Sequence, residues 1–244
     1  MAGQSSGGSS GGGGRRTPLS RDRVLRAAVA FADRSGIDAL SMRSLAQELG
    51  VVPMALYKHV ANKEELLDGM LDAVLAEIGP TAGGAAWKGA VRGRLLSARE
   101  VLLRHPWAPQ VIGSRSGPTP GALAHLDRVI GLFLAGGLSA DLTHHAMHAL
   151  GSRVWGFTQE LLPAGAEAEQ QPHQDQQDQQ DQQAALLAAR YPHIAGIVAS
   201  RAHDAGSVVG GQGCDDRFEF EFALDLLLDG IERLHAEGWS SQAR

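Results

Sequence analysis

Residues 50 to 60, GVVPMALYKHV, constrain the fold more than any other stretch of the chain. The amphipathic run Leu45-Ala46-Gln47-Glu48-Leu49 stops at Gly50, a residue suited to the left-handed conformation that closes a helix. Pro53 follows within three residues. Proline is tolerated in the first turn of a helix, where its missing N–H has no intrahelical partner to lose. Leu56 and Val60, four apart, then give the new helix an inward face, while Tyr57, Lys58 and His59 face outward. Two helices joined by a turn this tight form a helix-turn-helix.

The flanking sequence supplies the remaining helices of a small domain. Ser20 is a good N-cap for a helix reaching Ser35 and ending at Gly36, with Leu25, Ala28, Val29 and Ala32 on one face. Ser41 caps a second helix through Leu49, with Met42, Leu45, Ala46 and Leu49 inward. Asn62-Lys63-Glu64-Glu65 reads as a capping box opening a fourth helix through Ile78, which Gly79-Pro80 ends.

Charge separates this region from the rest. Residues 15 to 60 carry eight Lys/Arg against four acids, a surplus of +4, so the remainder holds −9 of the net −5. Such asymmetry suits an anion-binding module on an acidic body, although a solvated arginine-bearing helix face gives the same count. The single cysteine, Cys214, cannot pair within the chain, which fits a reducing, cytoplasmic setting. The longest uncharged apolar stretch, 129 to 140, is shorter than the ~20 residues that span a bilayer. Residues 1 to 14 lack the apolar core of a signal peptide and read as a flexible Ser/Gly tail.

After residue 80 the pattern stays helical, with expected spans 87–105, 106–112, 120–135 and 139–162. QPHQDQQDQQDQQ has nothing to bury, so 163–183 is expected to be a mobile loop. Shorter helical pieces are expected at 184–190 and 193–203, and a last helix near 215–237. In that last helix Leu224, Leu227, Leu228, Ile231 and Leu234 share one face, and Phe218, Phe222 and Leu226 another. A helix so broadly apolar is buried on more than one side, either centrally in its own domain or against another copy. The reading is an all-α chain: a helix-turn-helix domain over 15–78 and a larger helical domain over 79–244.

A helix-turn-helix places its second helix in the major groove. Tyr57 and Lys58 can donate to phosphates, and His59 can bond a phosphate or a base. Pro53, Met54 and Ala55 can meet a thymine methyl. The arginines from Arg15 to Arg26 would flank the backbone. The pattern becomes specific in LSMRSLAQELGVVPMALYKHVANKEELLDGMLDAV, residues 40 to 74. This segment resembles the DNA-binding domain of the tetracycline-repressor (TetR) family. The spacing of Leu45-Ala46, Leu49-Gly50-Val51, Leu56-Tyr57, His59-Val60, Lys63-Glu64 and Leu66-Leu67 carries the resemblance. FEFALDLLLDGIERL, residues 220 to 234, is similar to the closing helix of that family's tetracycline-repressor branch.

The resemblance implies that Pro53, Met54, Ala55, Tyr57, Lys58 and His59 face DNA, and that Arg43, Ser44 and Lys63 hold phosphates. Val52 departs from the family, which often has a capping Ser, Thr or acid there. The resemblance also implies a body that dimerises, through helices near 139–162 and 215–237, and holds a small-molecule effector. Candidate groups for that site are His105, Trp107, Phe133, His144, His145, Met147, His148, Trp155, Phe157 and Gln159: aromatic walls with a few polar handles. Plain core is the alternative for any one aromatic. His144 and His148 have the i, i+4 spacing of metal ligands but no accompanying acid, so no metal and no cofactor is expected. A ligand-responsive repressor on a palindromic operator fits best. A ligand-independent DNA binder would not need the aromatic body, and an enzyme would need a nucleophile or acid–base set that no motif here supplies.

Overall fold

The computed structural model describes residues 18–79, 86–156, 185–186, 188–193, 195–196 and 216–243. Helices and turns account for all regular structure among the described residues. The chain forms two compact units. The first takes the chain up to Ala76 together with Arg104–Gly121, and the second takes Glu77–Leu103 and Ala122 onward. The Ser/Gly tail at 1–14, the loop at 163–183, the extension of the eighth helix to 162 and Cys214 lie outside the described residues.

In the first unit the helices are α1 (Arg21–Ser35), α2 (Met42–Leu49), α3 (Pro53–Leu56), α4 (Lys63–Leu75) and α6 (Ala108–Ser114). Local chemistry sets their ends. Ser20 Oγ accepts from the Arg23 N–H at 3.2 Å, and the Asn62 side chain accepts from the Glu65 N–H at 2.8 Å. Glu65 reaches back to the Ala61 N–H at 2.7 Å, one residue further than a standard capping box. Gly50 is left-handed, φ 66° and ψ 35°. Val24, Ala28, Leu45, Leu56, Val60, Leu66 and Met70 close around a shared core. Gly69 brings α4 against α1, because a Cβ there would meet the Leu25 side chain at 2.8 Å.

In the structure the segment 104–121 packs on the first unit. His105 Nδ1 and Trp107 Nε1 both donate to Oδ1 of Asp33, at 2.8 and 2.7 Å. Arg115 donates to the Glu64 carbonyl and to Asp68, and Asp72 accepts from the Gly121 N–H at 2.8 Å. These are long-range contacts, invisible to periodicity.

The second unit holds α5 (Trp87–Arg104), α7 (Pro120–Ala135), α8 (Ala140–Gly156) and α9 (Asp216–Ala236), apart from the ends of α5 and α7 that belong to the first. Phe133, Phe220, Leu224 and Leu228 are its fully buried centre. Gly136 leaves room for Trp87, whose ring meets Phe133 with centroids 5.6 Å apart. Lys88 and Arg92, one turn apart on α5, pair with Asp229 and Glu232 and with Glu221 and Asp225 of α9. Such partly exposed pairs add little stability but fix the register of the two helices.

Candidate functional site

Two features stand out: an exposed apolar tip on the helix-turn-helix, and a groove between α7 and α8. Ser41 holds the start of α2 by a capping box in which Ser44 is the partner. Ser41 Oγ accepts from the Ser44 N–H, and Ser44 Oγ accepts from the Ser41 N–H. The Ser44 hydroxyl also lies 3.1 Å from the Ala39 and Ser41 carbonyls. It is therefore committed to the cap, which weakens the expectation that it holds a phosphate.

The left-handed turn at Gly50 then presents α3. Val52 stands at its N-cap without a side-chain hydrogen bond. Leu56 and Val60 are buried, so the opposite face is outward. Val52 is 68% exposed, Met54 71% and Tyr57 45%. Pro53 and Lys58 are exposed too, and Ala55 and His59 are half-buried. Arg43 and Lys63 are exposed nearby in sequence, at the starts of α2 and α4. No ion-pair partner is found for Arg43, Lys58 or Lys63 among the described residues. Arginines of α1 differ, since Arg21, Arg26 and Arg34 pair with Glu65, Asp22 and Glu48. Large apolar groups left in water beside unpaired cations are a surface made for an anionic partner with apolar recesses, as a DNA groove has.

In the second unit, the α7–α8 groove has a volume of about 520 Å³. Leu126, Ile130 and Leu134 form one wall, and Thr143, His144, Met147 and His148 the other. The His144 and His148 rings lie 4.7 Å apart at 74°. Thr143 was not singled out by the sequence; it lines the groove, and its Oγ1 is buried with no hydrogen-bond partner among the described residues. A hydroxyl at i−1 of a histidine gives no sequence signal of this kind. Among the described residues no group of three His, Cys, Asp or Glu is placed to hold a metal ion.

The structure gathers only some of the expected effector residues in this groove. His105 and Trp107 are in the first unit, where their ring N–H groups hold Asp33. Phe133 is core, packed on Trp87 with nothing exposed. His145 turns to the other side of α8, edge-on to Trp239 with centroids 5.4 Å apart. The Trp155 side chain, Phe157 and Gln159 lie outside the described residues.

The second unit also contains a polar cluster that the sequence did not reveal. Arg94, 4% exposed, donates from Nη1 to the Gly79 carbonyl at 3.1 Å and from Nη2 to His125 Nδ1 at 3.3 Å. Its Nε–H is buried without an acceptor among the described residues. Burial, then the nearby Arg94 charge, pushes His125 down to about 4, so it is neutral at pH 7.

A helix-turn-helix whose reading face is exposed and cationic, on a chain with a separate helical unit bearing an apolar groove, defines a DNA-binding transcriptional regulator. Residues 24–70 match the family described as bacterial regulatory proteins, tetR family, and residues 79–235 match the tetracyclin repressor-like C-terminal domain. The chain belongs to the TetR family. It is 32% identical over 222 residues to the HTH-type transcriptional repressor DrrR1 of Streptomyces coeruleorubidus, covering 90% of this chain and 79% of that protein. An HTH-type transcriptional regulator of Saccharopolyspora erythraea is 35% identical over 183 residues, 73% of this chain and 74% of that one. Among solved structures, ActR of Streptomyces coelicolor in complex with actinorhodin is 25% identical with a TM-score of 0.65, covering 89% of this chain and 98% of that one.

Proposed function

We propose that this protein is a repressor that binds an inverted-repeat operator as a homodimer and is released by a small molecule. The observation that carries the reading is the uncovered α3 tip, where Met54 and Tyr57 stand in water beside the unpaired Lys58. Pro53, Met54 and Ala55 then meet base edges in the major groove, Tyr57, Lys58 and His59 reach bases or phosphates, and Arg43 and Lys63 hold the flanking backbone. Its work is binding rather than catalysis, and its place is with the cell's DNA in the cytoplasm. No described helix is long and apolar enough to cross a membrane.

Dimerisation is supported by α9. Phe218, Phe222 and Leu226 are each more than half exposed although Phe220, Leu224 and Leu228 of the same helix are buried. A second apolar groove, lined by Leu142, Ala146, Leu226 and Leu234, runs along α8 and α9. A second copy packing there makes a four-helix bundle and sets two α3 helices ~34–36 Å apart, one turn of DNA.

The effector is assigned to the α7–α8 groove of Thr143, His144, Met147 and His148. It is supported by relatives named as repressors and by a solved neighbour in complex with actinorhodin. A ligand there acts only through tighter binding to the DNA-incompetent arrangement, a coupling of typically ~1–3 kcal/mol. Selection of bound sequences from random DNA with the purified protein tests the core of the reading. An inverted repeat is the expected product, and recovery of no enriched sequence refutes it.

A further inference from the structure

Past the last turn of α9 the chain doubles back onto α8. Gly238, at φ 65°, makes the turn: its N–H donates to the His235 carbonyl at 3.1 Å, and the Trp239 N–H donates to the Leu234 carbonyl at 3.0 Å. Asp141, in the first turn of α8, then fastens the segment. Its Oδ2 accepts from the Ser241 N–H at 2.6 Å and from the Ser240 hydroxyl at 3.3 Å, and its Oδ1 accepts from the Ser241 hydroxyl at 2.8 Å. The Ser241 N–H above all holds the Asp141 carboxyl below the usual carboxylate range, so the clasp is charge-assisted at neutral pH.

The clasp holds Trp239 in place. The indole is half-buried, edge-on to His145, and its N–H has no hydrogen-bond partner among the described residues. It lines the α8–α9 groove and stands at the end of a row on α9. Phe218, Phe222, Leu226, Gly230 and Leu234 are spaced four apart, and the first three are more than half exposed. A Cβ on Gly230 would meet nothing within 4 Å, so the row has an open hollow. At 1.5 Å per residue the row is about 24 Å long. Rows at this spacing are the ridges by which two helices interlock. Such a length exceeds what a small molecule covers. A second copy, presenting the same ridge and hollow across a two-fold axis, is the occupant that fits.

We propose that Trp239, pinned by Asp141, anchors the contact between two copies of this chain, so that the dimer is closed by residues lying beyond its bundle helices. The inference rests on the homodimer reading and adds the residue on which its affinity turns. Tryptophan is among the side chains enriched in the few positions that carry an interface, because it offers a large rigid ring and one N–H.

The test measures the dimer dissociation constant of the full-length protein by ultracentrifugation from nanomolar to micromolar concentration. Trp239→Ala is expected to weaken the dimer about thirtyfold or more, with an unchanged circular dichroism spectrum. Asp141→Ala leaves the ring present but unpinned and is expected to weaken it roughly two- to tenfold. Fluorescence distinguishes a ring in the interface from one that only supports the fold. On dilution through the dissociation constant, wild-type emission is expected to move to the red by an amount that Trp239→Phe lacks. An unchanged dissociation constant in Trp239→Ala, or a red shift that survives Trp239→Phe in full, overturns the anchor. Asp141→Ala with wild-type affinity overturns the pinning. A wild type that stays monomeric at micromolar concentration refutes the homodimer reading and the anchor with it. A dimeric wild type untouched by Trp239→Ala refutes the anchor alone.

Discussion

Asp33 is the most informative single perturbation of the first unit. One of its oxygens, Oδ1, accepts both the His105 Nδ1–H and the Trp107 Nε1–H, and the donor residues are only 7% and 4% exposed. Asp33→Ala removes the acceptor for both and leaves two buried donors without that partner. Each lost bond to a charged acceptor is worth ~1.5–3 kcal/mol. The Asp33 side chain is 28% exposed, however, so water can partly replace it and screening lowers the figure. The expected destabilisation is about 2–4 kcal/mol, read as a lower urea midpoint with unchanged slope. Asp33→Asn keeps an oxygen acceptor and is expected to cost less than half as much. Tryptophan fluorescence follows Trp107 together with the chain's three other tryptophans, and circular dichroism reports on all helices. A loss below ~0.5 kcal/mol for Asp33→Ala, or equal losses for the two variants, refutes the claim that this carboxylate ties α1 to 105–107.

Val52→Ser supplies the missing N-cap of α3 and is expected to raise stability by ~0.5–1 kcal/mol in thermal unfolding; no rise means the turn does not depend on a cap. Because His125 is held down to about 4 in the fold against 6.5 unfolded, the unfolded chain takes up its proton first on acidification. Stability is therefore full above pH 6.5 and falls by up to about 3 kcal/mol toward pH 4, and His125→Leu is expected to flatten that part of the curve. Lys58→Ala should weaken all DNA sequences alike and lower the salt slope by about one, and an unchanged slope would remove Lys58 from the phosphates. Phe222→Asp puts a charge on the exposed face of α9 and is expected to yield monomers in sedimentation; a dimer that survives it lies elsewhere.

What the sequence determined by itself is local. Ser20, Ser41 and Asn62 cap helices by bonds to groups three residues away, and Gly50 turns the chain through its own dihedral angles. Those interactions span a few residues, so residue type and spacing are enough to specify them. The outward face of α3 follows in the same way, since Leu56 and Val60 leave only one side for Tyr57 and Lys58. The groove residues His144, Met147 and His148 were legible for the same reason, as neighbours on one helix. Tertiary structure decided everything that depends on what lies opposite. Arg92 and Arg94 are indistinguishable in sequence, yet two residues on a helix differ by about 200° in direction. One meets Glu221 and Asp225 from more than 120 residues away, and the other is buried beside His125 with no acid paired to it among the described residues. His105 and Trp107 read equally well as pocket walls, but the chain folds 104–121 back onto the first unit, and Asp33, 72 residues earlier, takes both of their N–H groups. A buried donor must find an acceptor, but which acceptor it finds is a property of the folded chain.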